Sequence, residues 1–311
     1  MKNFKRLSVM LFALAMGSLL TISCKKDEEV KPMDPKVGTI VEVASGNPDF
    51  SILVAAVKRA GLVDVLSSTG PFTVFAPTNK AFESLLTELG VSKLEDIPVE
   101  TLKAVLLYHV ISAKVPSSAV ATGYVPTNAE GPNGSKVSLY IVKDSKGVKI
   151  DNRANVTAVD IAASNGVIHV IDKVLLPNKI VQMAINDPSF STLVAAVVYA
   201  DLVGALNADG PFTVFAPTND AFAALLDAAG ATKLEDLSKE TVAAVLLDHV
   251  VAGNVNSKDL ANGNVPTLGG NDITVSGVGS TPKLNGDINI TAVDIQGTNG
   301  VFHRIDKVIF N

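Results

Sequence analysis

The ten residues GPFTVFAPTN stand twice in this chain, at 70–79 and again at 210–219. The segment FTVF at 72–75 has the β-branched and aromatic composition of a buried strand. Pro77 has no amide hydrogen and ends the strand, and Thr78 or Asn79 can accept a hydrogen bond from the free amides of a following helix. We therefore predict that each copy is a strand, a proline stop and a helix cap, with a role in folding.

Longer matches flank the decapeptide on both sides. NPDFSILVAAV at 47–57 matches DPSFSTLVAAV at 187–197, an offset of 140 residues. NGVIHVIDKVL at 165–175 matches NGVFHRIDKVI at 299–309, an offset of 134. The second copy lacks six residues in the region where the first carries the turn-rich insert NAEGPNGS.

A period of this length corresponds to one ordinary domain and is too long for a solenoid unit. We predict two tandem domains, domain 1 at 36–177 and domain 2 at 178–311. The linker between them is only a residue or two long, so their relative orientation should be restricted.

The periodicity within each copy predicts an α+β fold. Asn47-Pro48 offers a helix start, a second helix buries Phe82 and Leu85 and stops at Gly90, and a third covers about 98–110. Residues 115–176 are β-branched and divided by Gly, Asn and Pro, as several short strands would be. Helices followed by strands favour a mostly antiparallel or mixed sheet.

The first 23 residues have the order of a secretory signal, with Lys2, Lys5 and Arg6 before an apolar run at 7–20. The sequence LTISC at 20–24 resembles the lipobox of bacterial lipoproteins, and Cys24 is the only cysteine in the 311 residues. The resemblance implies cleavage before Cys24 and acylation of that residue; a cleavage that leaves a free thiol is the alternative.

Residues 24–35 are then a lipidated N-terminus and tether. The run KKDEE at 25–29 resembles a tag that exports some lipoproteins to the cell surface, and an ordinary solvated tether is the alternative. We expect an outer membrane lipoprotein of the cell envelope, exposed at the surface and contacting the membrane only through its lipid anchor.

The net charge argues against a nucleic-acid partner. The whole chain carries a formal charge of −5, and residues 24–311 have 23 Lys plus Arg against 31 Asp plus Glu, or −8. An acidic chain without a basic cluster is a poor ligand for phosphate backbones.

Two motifs in each copy identify a family. TVFAPTNKAF at 73–82 and TVFAPTNDAF at 213–222 resemble the first signature of fasciclin (FAS1) domains, and the segments at 165–175 and 299–309 resemble the second. The resemblance covers nearly the whole mature chain. It implies that each copy is a β-wedge or sandwich of about seven strands packed with helices. It also implies a non-enzymatic adhesion and matrix-interaction module.

The four histidines occupy two repeated positions, 109 with 249 and 169 with 303. Val105, Leu106 and His109 share one helical stripe that should face the core, and the stripe is repeated before His249. The simplest interpretation is a buried imidazole that satisfies backbone groups.

Tyr108 and Asp248 precede these histidines and lie off the stripe, so they are our best candidates for solvent-facing residues. In animal members of the family, a segment around a Tyr-His pair is implicated in integrin contact. The resemblance thus makes Tyr108 and His109 candidate partner-binding residues, with Asp248 and His249 at the corresponding place in domain 2.

The sequence carries no GxSxG, HExxH, Walker or GxGxxG motif, and we predict no catalytic residue, metal or cofactor. Asn285, Asp287 and Asn289 alternate as calcium ligands can, but without the EF-hand glycine and terminal Glu.

The predicted function is adhesion to a protein or matrix ligand, with avidity from two modules. The alternative is capture of a glycan or lipid for an uptake system. Glycan stacking is disfavoured, because the chain has no Trp and four Tyr.

Overall fold

Two sheets, each covered by helices, are formed by residues 37–310, the part of the chain that the computed structural model describes. The helices of domain 1 are α1 (Ile40–Ser45), α2 (Ser51–Arg59), α3 (Val63–Ser67), α4 (Asn79–Leu89) and α5 (Val99–Tyr108). Its strands are β1 (Phe72–Pro77), β2 (Val110–Ile111), β3 (Gly123–Glu130), β4 (Lys136–Asp144), β5 (Gly147–Ile150), β6 (Ala154–Ala163) and β7 (Gly166–Ile171).

Domain 2 repeats this order. Its helices are α6 (Ile180–Asn186), α7 (Ser191–Tyr199), α8 (Val203–Leu206), α9 (Asn219–Ala228) and α10 (Lys239–Leu247). Its strands are β8 (Phe212–Pro217), β9 (Val250–Ala252), β10 (Gly263–Pro266), β11 (Asp272–Ser276), β12 (Lys283–Leu284), β13 (Ile288–Gly297) and β14 (Gly300–Ile305). The predicted α+β class is confirmed, and each of the two copies has the expected seven strands packed with helices.

Each sheet is mixed, because its first strand lies beside its last and runs parallel to it. In domain 1 the strand order is β2-β1-β7-β6-β5-β4-β3. β1 and β7 are parallel, with Phe75 opposite His169, and the other neighbouring pairs are antiparallel. The two signature segments of each copy are therefore hydrogen-bonded neighbours, in the second and third strands of the sheet.

The decapeptide forms the strand and cap that its sequence predicts. All six residues of β1 are buried, since both faces of this strand are covered. The Thr78 hydroxyl accepts a hydrogen bond from Ala81 N at 3.3 Å and caps α4. Asn79 has a further role: its side chain accepts from Ile52 N at 3.0 Å and donates to Pro48 O at 2.9 Å. It thereby ties α4 to the start of α2.

The second signature is held in place by its asparagine. Asn165 Oδ1 accepts from Ile40 N at 2.9 Å, and Nδ2 donates to Leu66 O at 2.8 Å. The backbone of Gly166 passes so close to β1 that a Cβ would lie 2.2 Å from Phe72 O. Asn299 makes the corresponding bonds in domain 2. The NG dipeptide thus fixes the helices against the sheet.

Two apolar cores lie on opposite sides of each central strand. In domain 1, Val74 and Ala76 join the core beneath the helices, while Phe75 joins the core enclosed by β3 to β6. Domain 2 has the same division, with Val214 in one core and Phe215 in the other.

The two domains pack together within one compact unit that begins at Val37. Tyr124 of β3 donates a hydrogen bond to Met183 O at 3.3 Å, and its ring meets Phe302 edge-on with centroids 5.6 Å apart. Gln296 N donates to Ser138 Oγ at 3.3 Å. Apolar and polar contacts together therefore fix the hairpin of β3 and β4 against domain 2.

The insert of domain 1 forms part of this interface. Asn256 Nδ2 donates to Ser135 Oγ at 2.9 Å. Gly131 approaches domain 2 so closely that a Cβ would lie 2.8 Å from Gly297 O. The insert that domain 2 lacks is thus one of the segments through which domain 1 contacts domain 2.

The predicted signal peptide at 1–23, the lipidation of Cys24 and the tether at 24–35 lie outside the described residues. Within 37–310, no helix has the length and apolar character needed to cross a bilayer.

Candidate partner-binding site

His109 and His249 connect the end of a helix to the last segment of each domain. His109 Nδ1 donates to Val105 O at 2.7 Å, and Nε2 accepts from Leu175 N at 2.9 Å. His249 repeats this with Val245 O at 2.7 Å and Ile309 N at 2.9 Å. Both rings are 1% exposed. The geometry supports the structural interpretation of these histidines.

This arrangement requires the neutral imidazole, because one ring nitrogen donates and the other accepts. Burial lowers the pKa of His109 to about 4, against the opposing hydrogen bond to Val105 O. Burial lowers the pKa of His249 to about 4 as well. Neither ring has a free nitrogen for a partner or a metal.

His169 and His303 fix a bulge in each sheet. His169 Nε2 donates to Val115 O at 2.9 Å, and Nδ1 accepts from Asp160 N at 3.3 Å. His303 makes equivalent bonds to Val255 O at 2.9 Å and from Asp294 N at 3.2 Å. These rings too are satisfied by backbone groups.

Tyr108 does not face solvent, so the expectation of an exposed side chain was wrong. Its exposed fraction is 0%. The hydroxyl lies 2.8 Å from Asp151 Oδ2 and 3.1 Å from Ser138 O. α5 packs against β3, so the helix face next to the histidine stripe is also covered. The helical periodicity predicted that the face carrying His109 is buried. It did not predict that the neighbouring face, which carries Tyr108, is buried as well.

Asp248 is also buried, at 5% exposed, which corrects the corresponding expectation for domain 2. Its carboxylate accepts hydrogen bonds from Thr267 Oγ1 at 3.1 Å and Asn271 Nδ2 at 2.8 Å. In domain 2 a carboxylate with polar neighbours therefore replaces the Tyr108 hydroxyl. A side chain so enclosed cannot make direct contact with a partner.

The hydrogen-bonded side chains of Tyr108 and Asp151 lie next to the linker between the domains. Asn178 Nδ2 donates to the Tyr108 hydroxyl at 3.4 Å, and Asn178 O accepts from Thr298 N at 2.9 Å. Burial raises the pKa of Asp151 to about 6, although hydrogen bonds from Tyr140 N and Tyr108 oppose the shift. Tyr108 is thus connected to domain 2 through the linker residue Asn178.

One repeated segment is exposed and identical in both domains. TAVD at 157–160 lies in β6, and TAVD at 291–294 lies in β13. Val159 is 46% exposed and Val293 is 41% exposed. Neither valine belongs to a core cluster of its domain.

The bulge of each strand positions this segment. Asp160 has φ +60° and Asp294 has φ +59°, a left-handed conformation that Asp tolerates better than most residues. The register of β6 against β7 shifts at this point. The Asp160 carboxylate accepts from the amide and hydroxyl of Ser117, which lower its pKa. Each domain therefore presents an exposed valine beside a fixed carboxylate, a surface that no sequence motif indicated.

The calcium-like alternation in domain 2 does not form a site. Asn285 Oδ1 accepts from Thr274 N at 2.9 Å, Asp287 pairs with Lys307 at 2.7 Å, and Asn289 Nδ2 donates to Asp306 at 2.6 Å. The three side chains thus have different protein partners. Among residues 37–310, no group of three or more His, Cys, Asp or Glu side chains could hold a metal ion.

Comparison with known proteins identifies several proteins of similar sequence. Protein sll1483 of Synechocystis is 50% identical over 139 residues, covering 45% of this chain and 73% of the relative. The ig-h3 protein of Sus scrofa is 31% identical, covering 78% of this chain and 35% of its own length. Human periostin is 31% identical, covering 88% and 31%. The chain thus matches about a third of the length of these two animal relatives.

A solved FAS1 domain pair of the insect cell adhesion molecule Fasciclin I aligns with a TM-score of 0.49 and 20% identity, covering 84% of this chain and 97% of that structure. The profile of the Fasciclin domain matches residues 48–177 and 188–311. This chain therefore belongs to the fasciclin family, with two Fasciclin domains in tandem.

Proposed function

We propose that this protein is a non-enzymatic adhesion module that binds a protein or matrix ligand through the exposed TAVD segments of its two domains. The observation that carries the proposal is their repetition: the same four residues stand on the same bulge in both sheets, with Val159 and Val293 outside the cores. A single exposed valine is ordinary on a protein surface, so the support comes from the recurrence of the same exposed segment in both domains.

The packing of the domains supports two-site binding. The interface at Tyr124 and Gln296 holds the two segments on one compact unit. A rigid spacing lowers the entropy lost when the second site engages, so two weak sites gain avidity. Fasciclin domains occur in cell-adhesion and extracellular proteins, a setting that fits this role.

The proposal places the protein on the outer membrane of the cell envelope, held by acyl chains on Cys24 and exposed to the medium. The sequence around Cys24 is its support. Metabolic labelling with a palmitate analogue should mark the wild-type chain and not Cys24→Ser. Protease treatment of intact cells should remove the protein; full protection would contradict surface exposure.

Glycan capture has little support from the described residues. Tyr108, Tyr124, Tyr140 and Tyr199 are all buried or half-buried, so none offers an open stacking platform. Binding to a polysaccharide array without any binding to proteins would favour this alternative.

Deletion of the gene tests the adhesion proposal. Cells without the protein should aggregate less and attach less to surfaces, and a plasmid-borne wild-type copy should restore both. Unchanged aggregation and attachment in the deletion strain would contradict the proposal.

A further inference from the structure

Domain 2 contains an apolar pocket under its helical layer, between α6 and α7. Its cavity volume is about 140 Å³. The floor is β8, and Phe302 of β14 forms the inner wall. Ile185 and Val198 stand at the mouth.

The same site in domain 1 is nearly filled. There the volume is about 30 Å³, although the walls come from equivalent positions 140 residues earlier. The rim differs, because Lys58 stands where domain 2 has Val198, and Ser45 stands where it has Ile185. The inner wall differs as well, since Ile168 replaces Phe302. The equivalent sites of the two domains thus differ: the site in domain 2 is open, and the site in domain 1 is nearly filled.

The pocket of domain 2 has exposed apolar side chains at its mouth. Val198 is 61% exposed and Ile185 is 47% exposed, on neighbouring helices. Isolated exposed aliphatic residues are ordinary, but two of them at the entrance of an apolar pocket are typical of a ligand site.

The lining determines the chemistry of the ligand. His249 is its polar member, and both ring nitrogens of His249 are already bonded to the backbone. An occupant therefore finds no charge partner and no hydrogen bond inside. A cavity of about 150 Å³ lined by Leu, Ile and Phe accepts a six-carbon molecule such as benzene. The mouth opens between two helices with aliphatic side chains on both sides, so a longer chain can continue outward along Ile185 and Val198.

The pocket is continuous with the domain interface. Phe302 contacts an occupant on one side and the Tyr124 ring of domain 1 on the other, at a centroid distance of 5.6 Å. Ile180, another wall residue, starts the helix whose Met183 accepts the Tyr124 hydrogen bond. An occupant would thus support the surface on which domain 1 rests.

We propose that domain 2 binds the hydrocarbon chain of a free fatty acid in this pocket, with about six carbons inside and the carboxylate in solvent. A single chain can enter end-on between the helices. A bilayer presents head groups first and would not offer a free chain end.

The test is titration calorimetry of the full-length protein with dodecanoate below its micellar concentration. The wild type should bind one equivalent, and affinity should rise from hexanoate to dodecanoate. The double variant Val198→Glu with Ile185→Ser removes the aliphatic side chains from the mouth and places a negative charge beside the carboxylate of the ligand. It should bind dodecanoate at least about tenfold more weakly. Lys58→Glu places the same charge at the equivalent position of domain 1. It is the matched control and should leave the affinity unchanged.

The double variant should keep its fold, because both positions are exposed and domain 1 carries Ser45 in place of Ile185. Thermal melts check this, and dodecanoate should raise the melting temperature of the wild type and not of the double variant. Absence of saturable dodecanoate binding by the wild type would overturn the proposal. Equal binding by the double variant, or binding to phosphatidylethanolamine vesicles without binding to dodecanoate, would also overturn it.

Discussion

The hydroxyl of Tyr108 donates a hydrogen bond of 2.8 Å to the carboxylate of Asp151, and both side chains are buried. The next residue, His109, is equally enclosed. The Tyr-His dipeptide of domain 1 therefore belongs to its core and its linker contact.

Replacement of Tyr108 by Phe should destabilise the protein by about 1–3 kcal/mol, because the buried Asp151 carboxylate loses a donor. The midpoint of urea unfolding measures the loss. Tyr199→Phe is a matched control, since the half-buried Tyr199 hydroxyl donates to Leu237 O at 3.1 Å and has no charged partner, and it should cost less. Equal losses in the two variants would contradict the assigned role.

Asp151→Asn should change how stability depends on pH. The folded-state pKa of Asp151 is raised to about 6 from 3.8, so the folded state holds a proton that the unfolded state has released. Asp151 therefore contributes stability at low pH that is lost as the pH rises from about 4 to about 6. Asn at this position, the residue that domain 2 carries as Asn285, removes this contribution.

The stability of the wild type relative to Asp151→Asn should thus increase on acidification between pH 6 and 4, by up to about 1.4 kcal/mol per pH unit. Urea unfolding at several pH values measures it. A difference that does not vary with pH would show that Asp151 titrates normally.

His109→Gln should lower the melting temperature at neutral pH, because Gln cannot bridge Val105 O and Leu175 N with the same geometry. The folded pKa of His109 is lowered to about 4 from 6.5, so its contribution is fully present above pH 6.5 and is lost as the pH falls towards 4. The variant should therefore lose less stability than the wild type across this window.

His249→Gln should behave in the same way, because its ring has equivalent bonds and a pKa lowered to about 4. An unchanged melt in either variant, together with lost partner binding, would reverse the structural assignment of these histidines.

Gly131→Ala should uncouple the domains. The backbone of Gly131 has φ −106°, which Ala adopts without strain, but the new Cβ would lie 2.8 Å from Gly297 O of domain 2. Calorimetry of the full chain should show the unfolding transition broaden or split. The neighbouring exposed variant Glu130→Ala should leave it unchanged, since its ion pair with Lys136 lies on the surface. A single sharp transition in Gly131→Ala would contradict the interface.

The sequence predicted most of the fold because its signals are local. Thr78 caps α4, Gly90 ends it with φ +67°, and the histidine stripe faces the core. The repeat predicted that the chain contains two tandem domains. Short helices such as α1, α3 and α8 were missed, because four to six residues are too few for a helical period to be recognised.

The site was harder to predict, because it depends on contacts between distant residues. The burial of Tyr108 follows from Asp151 and β3, which lie far along the chain. The exposure of Val159 follows from a bulge that Ser117 and His169 hold in place. The role of Gly131 in the interface depends on its close approach to Gly297 of domain 2. No local sequence pattern around these residues indicates which distant residue each of them contacts.

The most direct test of the central claim is the attachment of cells that carry full-length Val159→Glu, Val293→Glu or both. Each single variant should attach less than the wild type, and the double variant should lose most attachment, because either site alone is weak. Val65→Glu, another exposed valine at 44%, should attach normally, and antibody staining should show equal amounts of all variants at the surface. Wild-type attachment by the double variant at equal surface amount would contradict the account.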